Sequence, residues 1–144
     1  MNLFVIDANV AVRWSLRPAG EALVEQSLGL LNRYGRGEIQ FVVPDLFWAE
    51  LGNLFWKAVR LGQCARATAE SSLAEIRERG LPTVSSETLV EPALVIATTF
   101  DRSVYDGIYV ALAIESRGQL VTADETLANA VAAHLPVKWL GAIL

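Results

Sequence analysis

Cysteine occurs once in the 144 residues, at Cys64, and histidine once, at His134. A single thiol forms no intramolecular disulfide and no thiolate metal site by itself, so the chain suits a reducing compartment. The lone histidine ends an expected helix, a helix-terminal or surface role that leaves no histidine-based general base. Charge is scarce too. Charged residues make up 19% of the chain against 53% hydrophobic, which excludes a disordered class and gives more apolar surface than one monomer need bury. No uninterrupted apolar run reaches the roughly 20 residues of a membrane span, and Met1-Asn2-Leu3 lacks the basic flank of a signal peptide. A cytoplasmic protein with no membrane association is expected. An excess of basic residues is also missing: the formal net charge is −4. That gives no electrostatic footprint for nucleic acid, unless clustered acids are offset by bound cations.

What is present is an alternation of short apolar runs and helical patterns. Residues 3–6 read as a strand ending at Asp7, followed by a helix over 10–16. A helix over 21–34, closed by Gly35 and Gly37, precedes a strand over 39–43. Pro44 and Asp45 open a third helix that runs to residue 61, where Gly62 stops it. Next come a helix over 65–79, a short strand at Thr83–Val84, and helices over 87–100 and 105–117. The opening theme then returns, with a strand over 119–122, Asp124, a helix over 125–134 and a last strand over 137–140. The length fits one domain spanning 1–144. Five strands separated by helices imply right-handed crossovers and a three-layer α/β/α fold around a five-stranded parallel sheet.

Open parallel sheets bind ligands at the carboxyl ends of their strands, where strand order reverses. Asp7 and Asp124 both stand just past such an end. Periodicity does not give the strand order, so whether they face each other stays open. Each acid also has a plainer reading. Asn9 can cap a helix and leave Asp7 as a turn acid. Glu50, on the margin of the third helix's apolar arc, can be a solvated flank residue supported by Lys57 or Asn53. Ser103-Val104-Tyr105-Asp106 reads as a capping box, yet Tyr109, Val110 and Ala113 put Asp106 on an inward stripe, where a carboxylate needs a cation or donors. Thr122 with Glu125 can form another capping box, which leaves Asp124 without a structural duty.

The four acids occupy four elements and avoid the acid-rich stretch 70–78. Converging carboxylates repel one another, and an all-oxygen set suits Mg²⁺ or Mn²⁺. Such an ion lowers the pKa of bound water and stabilises charge on a phosphate, giving hydrolysis without a Ser, His or Cys nucleophile. Arg13, Arg17, Lys57 and Arg60 are the cations nearest these elements, fit to steer a phosphate backbone or to serve as solvated charges. Trp48, Phe55, Trp56 and Val59 form a second apolar face on the third helix, either a partner surface or a face buried on two sides.

The opening Val5-Ile6-Asp7-Ala8-Asn9, the segment Tyr105-Asp106-Gly107-Ile108-Tyr109-Val110-Ala111-Leu112-Ala113 and Leu120-Val121-Thr122-Ala123-Asp124 together resemble the PIN domain family. Within it, the likeness is to VapC-type toxins of prokaryotic toxin–antitoxin pairs, and it runs over essentially the whole chain. The resemblance implies that the first and fourth strands are neighbours. It implies metal-ligand and catalytic roles for Asp7, Glu50, Asp106 and Asp124, with Asn9 and Thr122 as polar support. It also implies an Mg²⁺- or Mn²⁺-dependent ribonuclease acting on RNA, dimerising with itself and blocked by an antitoxin. Asn9 stands where Ser or Thr is also common in the family, and the nearby Asp101 falls outside the ligand set.

Two other classes compete. A phosphatase of the haloacid-dehalogenase type or a response-regulator receiver also places an Asp after the first strand, and Lys138 near the last strand suits either. The phosphatase needs a second Asp where this chain has Asn9, and the receiver needs a phosphoacceptor Asp where it has Thr83-Val84-Ser85. The other class is a catalytically idle, partner-binding domain whose acids are helix caps.

Overall fold

The computed structural model describes residues 2–16 and 22–143. Its strands are β1 (Asn2–Ile6), β2 (Ile39–Pro44), β3 (Thr83–Val84), β4 (Gln119–Thr122) and β5 (Val137–Trp139). Its α-helices are α1 (Ala8–Ala11), α2 (Val24–Gly35), α3 (Leu46–Arg60), α4 (Arg66–Glu78), α5 (Val90–Phe100), α6 (Val104–Glu115) and α7 (Glu125–Val131). The helix expected over 10–16 is shorter and earlier: α1 has four residues and runs into a 3-10 turn at Val12–Trp14. The start expected for the second helix, residue 21, lies outside the described residues, as does Arg17.

Local chemistry accounts for two shifted boundaries. An α-helix starting at residue 87 would need the missing N–H of Pro92 to bond back to Thr88. The chain instead makes a 3-10 turn over Ser86–Leu89, and Pro92 falls in the first turn of α5. The last helix stops at Val131 rather than 134, before Leu135, which Pro136 biases away from helical geometry.

All strand pairings are parallel, in the order β3-β2-β1-β4-β5. β1 and β4 are therefore neighbours, and the order reverses between them, because the chain builds outward first to β2 and β3 and then to β4 and β5. Consecutive residues are buried along the central strands: Phe4, Val5 and Ile6; Phe41, Val42 and Val43; Leu120, Val121 and Thr122. A strand with one wet face would alternate, so helices cover both faces. The core continues into α6, buried from Gly107 through Ala113. Gly107 lets α6 lie against α5, since a Cβ there would sit 2.4 Å from the carbonyl oxygen of Ala93. Among the described residues no helix is long and apolar enough to cross a membrane.

The second apolar face expected on α3 needs correcting. Phe55 is buried with Phe47, Leu51 and Ala58 in the core, because four-residue spacing from Leu51 puts it on the same stripe. Trp48 is half-buried and donates its indole N–H to Thr83 Oγ1 at 3.1 Å. Trp56 is exposed, with the Arg60 guanidinium 5.4 Å from its ring centroid.

Candidate active site

β1 ends at the sheet's reversal point, and the backbone N–H of Asp7 still donates to Val121 on β4 at 3.1 Å. The first residue beyond β1 is thereby still tied to β4. Asp7 is the N-cap of α1 and accepts from the backbone N–H of Asn9 at 3.3 Å through Oδ1. Its other oxygen accepts from the hydroxyl of Thr122 at 2.9 Å. That hydroxyl is fully buried and accepts in turn from Asn9 Nδ2 at 3.2 Å and from the backbone N–H of Asp124 at 3.1 Å. One hydroxyl proton and two lone pairs are thus all used. Asn9 closes the circuit by accepting from the N–H of Ala123 at 2.9 Å. Asn9 and Thr122 therefore hold Asp7 across the gap between β1 and β4.

The capping roles differ from those read in the sequence. Asp7, not Asn9, caps the first helix. Asp124 does have a structural duty: it is the N-cap of α7 and accepts from Leu127 N–H at 3.1 Å. Thr122 forms no capping box with Glu125, because its hydroxyl is already engaged with Asp7. Ser103 caps α6 as expected, accepting from Asp106 N–H at 3.1 Å.

Glu50 and Asp106 come to the same place from two helices. Glu50 Oε1 accepts from the hydroxyl of Tyr109 at 2.6 Å, a short bond of the charge-assisted kind. Asp106 Oδ2 lies 3.3 Å from both Nε and Nη2 of Arg102, and the same Nη2 is 3.7 Å from Asp124 Oδ2. Asp7, Glu50, Asp106 and Asp124 all line one cavity of about 500 Å³, together with Asn9, Asn53 and Tyr105.

Their crowding shows in their proton affinities. Although part of Asp7 faces the cavity, burial by the surrounding protein pushes its carboxyl up to about 7, against the hydrogen bonds from Thr122 and Asn9, and repulsion from Glu50 and Asp106 adds to the rise. Burial raises Glu50 as well, opposed by Tyr109 and assisted by Asp106. Asp106 is raised by burial, opposed by Arg102 and assisted by Asp124. Tyr109 is held above its ordinary value by burial and by the neighbouring Asp7 and Glu50. Such shifts mark groups whose charge is favoured by an added cation.

The donor set is all oxygen and partly dehydrated, which fits a hard divalent cation in chemistry. The acids surround the cavity rather than closing on one point. Among the described residues no three His, Cys, Asp or Glu side chains are gathered tightly enough to hold an ion as they stand. Arg102 meanwhile partly neutralises Asp106 and Asp124.

Other residues singled out in the sequence lie elsewhere. Arg13 is tied to backbone carbonyls, donating to Ala22 at 3.0 Å and to Asn9, and burial lowers its pKa despite the attraction of Asp7. Arg13 and Lys57 line a second groove that shares Asn9 and Leu54 with the acidic cavity. Asp101, in a left-handed conformation at the end of α5, and the exposed His134 and Lys138 do not line the acidic cavity. Sequence reasoning missed Arg102, although its four-residue spacing from Asp106 was a usable signal. It placed Tyr109 on an inward stripe but had no means of naming Glu50 as its partner.

The chain is similar to known proteins in sequence and in fold. The family profile described as PIN domain matches residues 4–132. In sequence the chain is similar to Ribonuclease VapC3 of Pyrobaculum aerophilum, 34% identical over 87 residues. That match covers 59% of this chain and spans 66% of the relative's length. In structure it is similar to PAE2754 of Pyrobaculum aerophilum, with a TM-score of 0.71 and 21% identity over 97% of this chain and 85% of that one. It is also similar to a toxin-antitoxin complex from Klebsiella pneumoniae, with a TM-score of 0.57 and 17% identity over 96% of each chain. These two structures share its fold.

Proposed function

The chain belongs to the PIN domain family, and on that footing we propose that it is a metal-dependent endoribonuclease that hydrolyses RNA phosphodiester bonds as the toxin of a toxin–antitoxin pair. The observation that carries this reading is the convergence of Asp7, Glu50, Asp106 and Asp124, from four separate elements, on one cavity at the carboxyl ends of β1 and β4. The name of the sequence relative, a VapC ribonuclease, supports the substrate class.

Asp7, Glu50, Asp106 and Asp124 would hold Mg²⁺ or Mn²⁺. When bound, the ion supplies Lewis acidity toward water and the scissile phosphate. The chain's own residues prepare the place. Thr122 and Asn9 orient Asp7, and Tyr109 fixes the rotamer of Glu50. Arg102 holds Asp106 and Asp124 side by side and offers positive charge at the rim. Arg13 and Lys57, in the adjoining groove, give a phosphate backbone positive charge to follow despite the chain's net negative charge.

An antitoxin protein and a second copy of the chain are the proposed partners. The exposed Trp56 on α3 and Val90, Leu94 and Val95 on α5 offer apolar surface for such contacts. Protein freed of any antitoxin, incubated with structured RNAs and Mg²⁺ or Mn²⁺, should cleave them, and EDTA should stop it. Asp7→Asn and Asp106→Asn should fold and lose the activity. Equal cutting by wild type and variants would trace the cleavage to a contaminant and overturn the reading.

A further inference from the structure

Most aromatic side chains of this protein are either packed in the core, as Phe4 and Phe55 are, or paired. Tyr34 stacks on Phe41 with centroids 4.4 Å apart, Trp14 stacks on the same ring at 5.8 Å, and Phe47 meets Trp48 edge-on at 4.8 Å. Tyr109 is bonded to Glu50, and Trp56 has Arg60 over its face. Tyr105 differs. It is 61% exposed, in the first turn of α6 directly before Asp106. No ring, cation or hydrogen-bond partner meets it among the described residues, yet it lines the same cavity as the four acids. α3 contributes Leu46, Ala49 and Asn53 to that cavity, so apolar surface and, with Asn9, two side-chain amides adjoin the carboxylates.

Fold stability does not explain a large aromatic left open to solvent at this rim, since an exposed ring buries little. Substrate chemistry does. Sequence-tolerant recognition of single-stranded nucleic acid rests on bases stacking on aromatic side chains while phosphates are held by charge. Here the acids, with a cation, are suited to the phosphate, and the open ring one residue away is suited to what flanks it.

We propose that Tyr105 is a stacking platform for the nucleobase beside the scissile phosphate. The inference rests on the ribonuclease reading and adds a substrate contact to it. The ring face, and not the hydroxyl, makes the contact.

The test uses the full chain with a single-stranded oligoribonucleotide whose cleaved bond has been mapped. Tyr105→Phe should cleave within about twofold of wild type, whereas Tyr105→Ala and Tyr105→Leu should lose roughly 5- to 150-fold in kcat/KM, the range that stacking of one base supports. Melting temperatures should be unchanged, because the side chain is exposed. An abasic nucleotide placed in turn on each side of the cleaved bond should, at one of the two positions, impair the wild type by a similar factor and impair Tyr105→Ala no further. Independent, multiplying losses, or Tyr105→Ala as active as wild type, overturn the platform while leaving the nuclease standing. Equal loss in Tyr105→Phe transfers the contact to the hydroxyl and also overturns it. No cleavage by wild type under any metal removes the ribonuclease reading, and this inference with it.

Discussion

At the scale of single residues, Asp7 is held by hydrogen bonds from Asn9 and Thr122 in a place that disfavours its charge. Its proton is held more tightly in the folded protein, to about 7, than at the ordinary value of 3.8. The folded state therefore binds more protons than the unfolded one between those values, and ionising Asp7 destabilises the fold. Metal-free protein should lose stability as pH rises from about 4 to 7, with the full loss present above 7. Asp7→Asn has no such charge but keeps only one of the two acceptors that Asn9 N–H and the Thr122 hydroxyl use, so relative to its own value at pH 4 its stability should gain on wild type over that window, by at most about 4 kcal/mol at pH 8. Chemical denaturation of both proteins in EDTA across pH 4 to 8 measures this, and parallel profiles would contradict it. Burial, Glu50 and Asp106 together raise Asp7, so its behaviour was not legible from a turn acid with an asparagine two positions on.

At the scale of elements, the contact between α5 and α6 sets the position of Asp106 and Tyr109. Gly107 is the point of closest approach: an added Cβ would meet backbone atoms of Ala93 at 2.4 Å and 3.1 Å, which cannot move aside as a side-chain tip can. Ala would contribute about 1 kcal/mol through helix propensity, but overpacking costs about 1–3 kcal/mol. Gly107→Ala should therefore be destabilising on balance and lower the melting temperature by several degrees in a scan against wild type. It should also weaken RNA cleavage, because the helix shifts away from Ala93 with its acid. A more stable variant would show that α6 has room to slide. The glycine was visible in the motif, while the backbone it faces belongs to another helix.

At the scale of the whole molecule, the crossover order brings two strand ends together and with them four like charges. A cation bound only by the folded state stabilises it by mass action, about 2.7 kcal/mol at a hundredfold excess over Kd. For a domain of this size that is a rise in melting temperature of about 5–10 °C. Adding Mn²⁺ or Mg²⁺ to EDTA-treated protein should produce such a rise, and Asp106→Asn should reduce or abolish it. No shift in wild type would favour the idle, partner-binding domain, in which Asp7 and Asp124 serve only as the caps they are seen to be. Here a cation would have to draw the acids closer than they now stand, and Arg102 would have to yield part of its hold on Asp106 and Asp124.

The sequence by itself determined the element types, most of their boundaries and the position of each acid at a strand end or on a helix. Those features follow from local periodicity, glycine stops and caps, which need only neighbouring residues. The likeness of its motifs to a family also supplied the adjacency of β1 and β4, which periodicity could not. Tertiary structure alone decided the rest. It joined Thr122 to Asp7 across 115 positions and Tyr109 to Glu50 across 59. It set Arg102 between two acids and raised the proton affinity of Asp7. Each of these depends on desolvation and on contacts between distant segments, and such contacts exist only once the sheet has set its strand order.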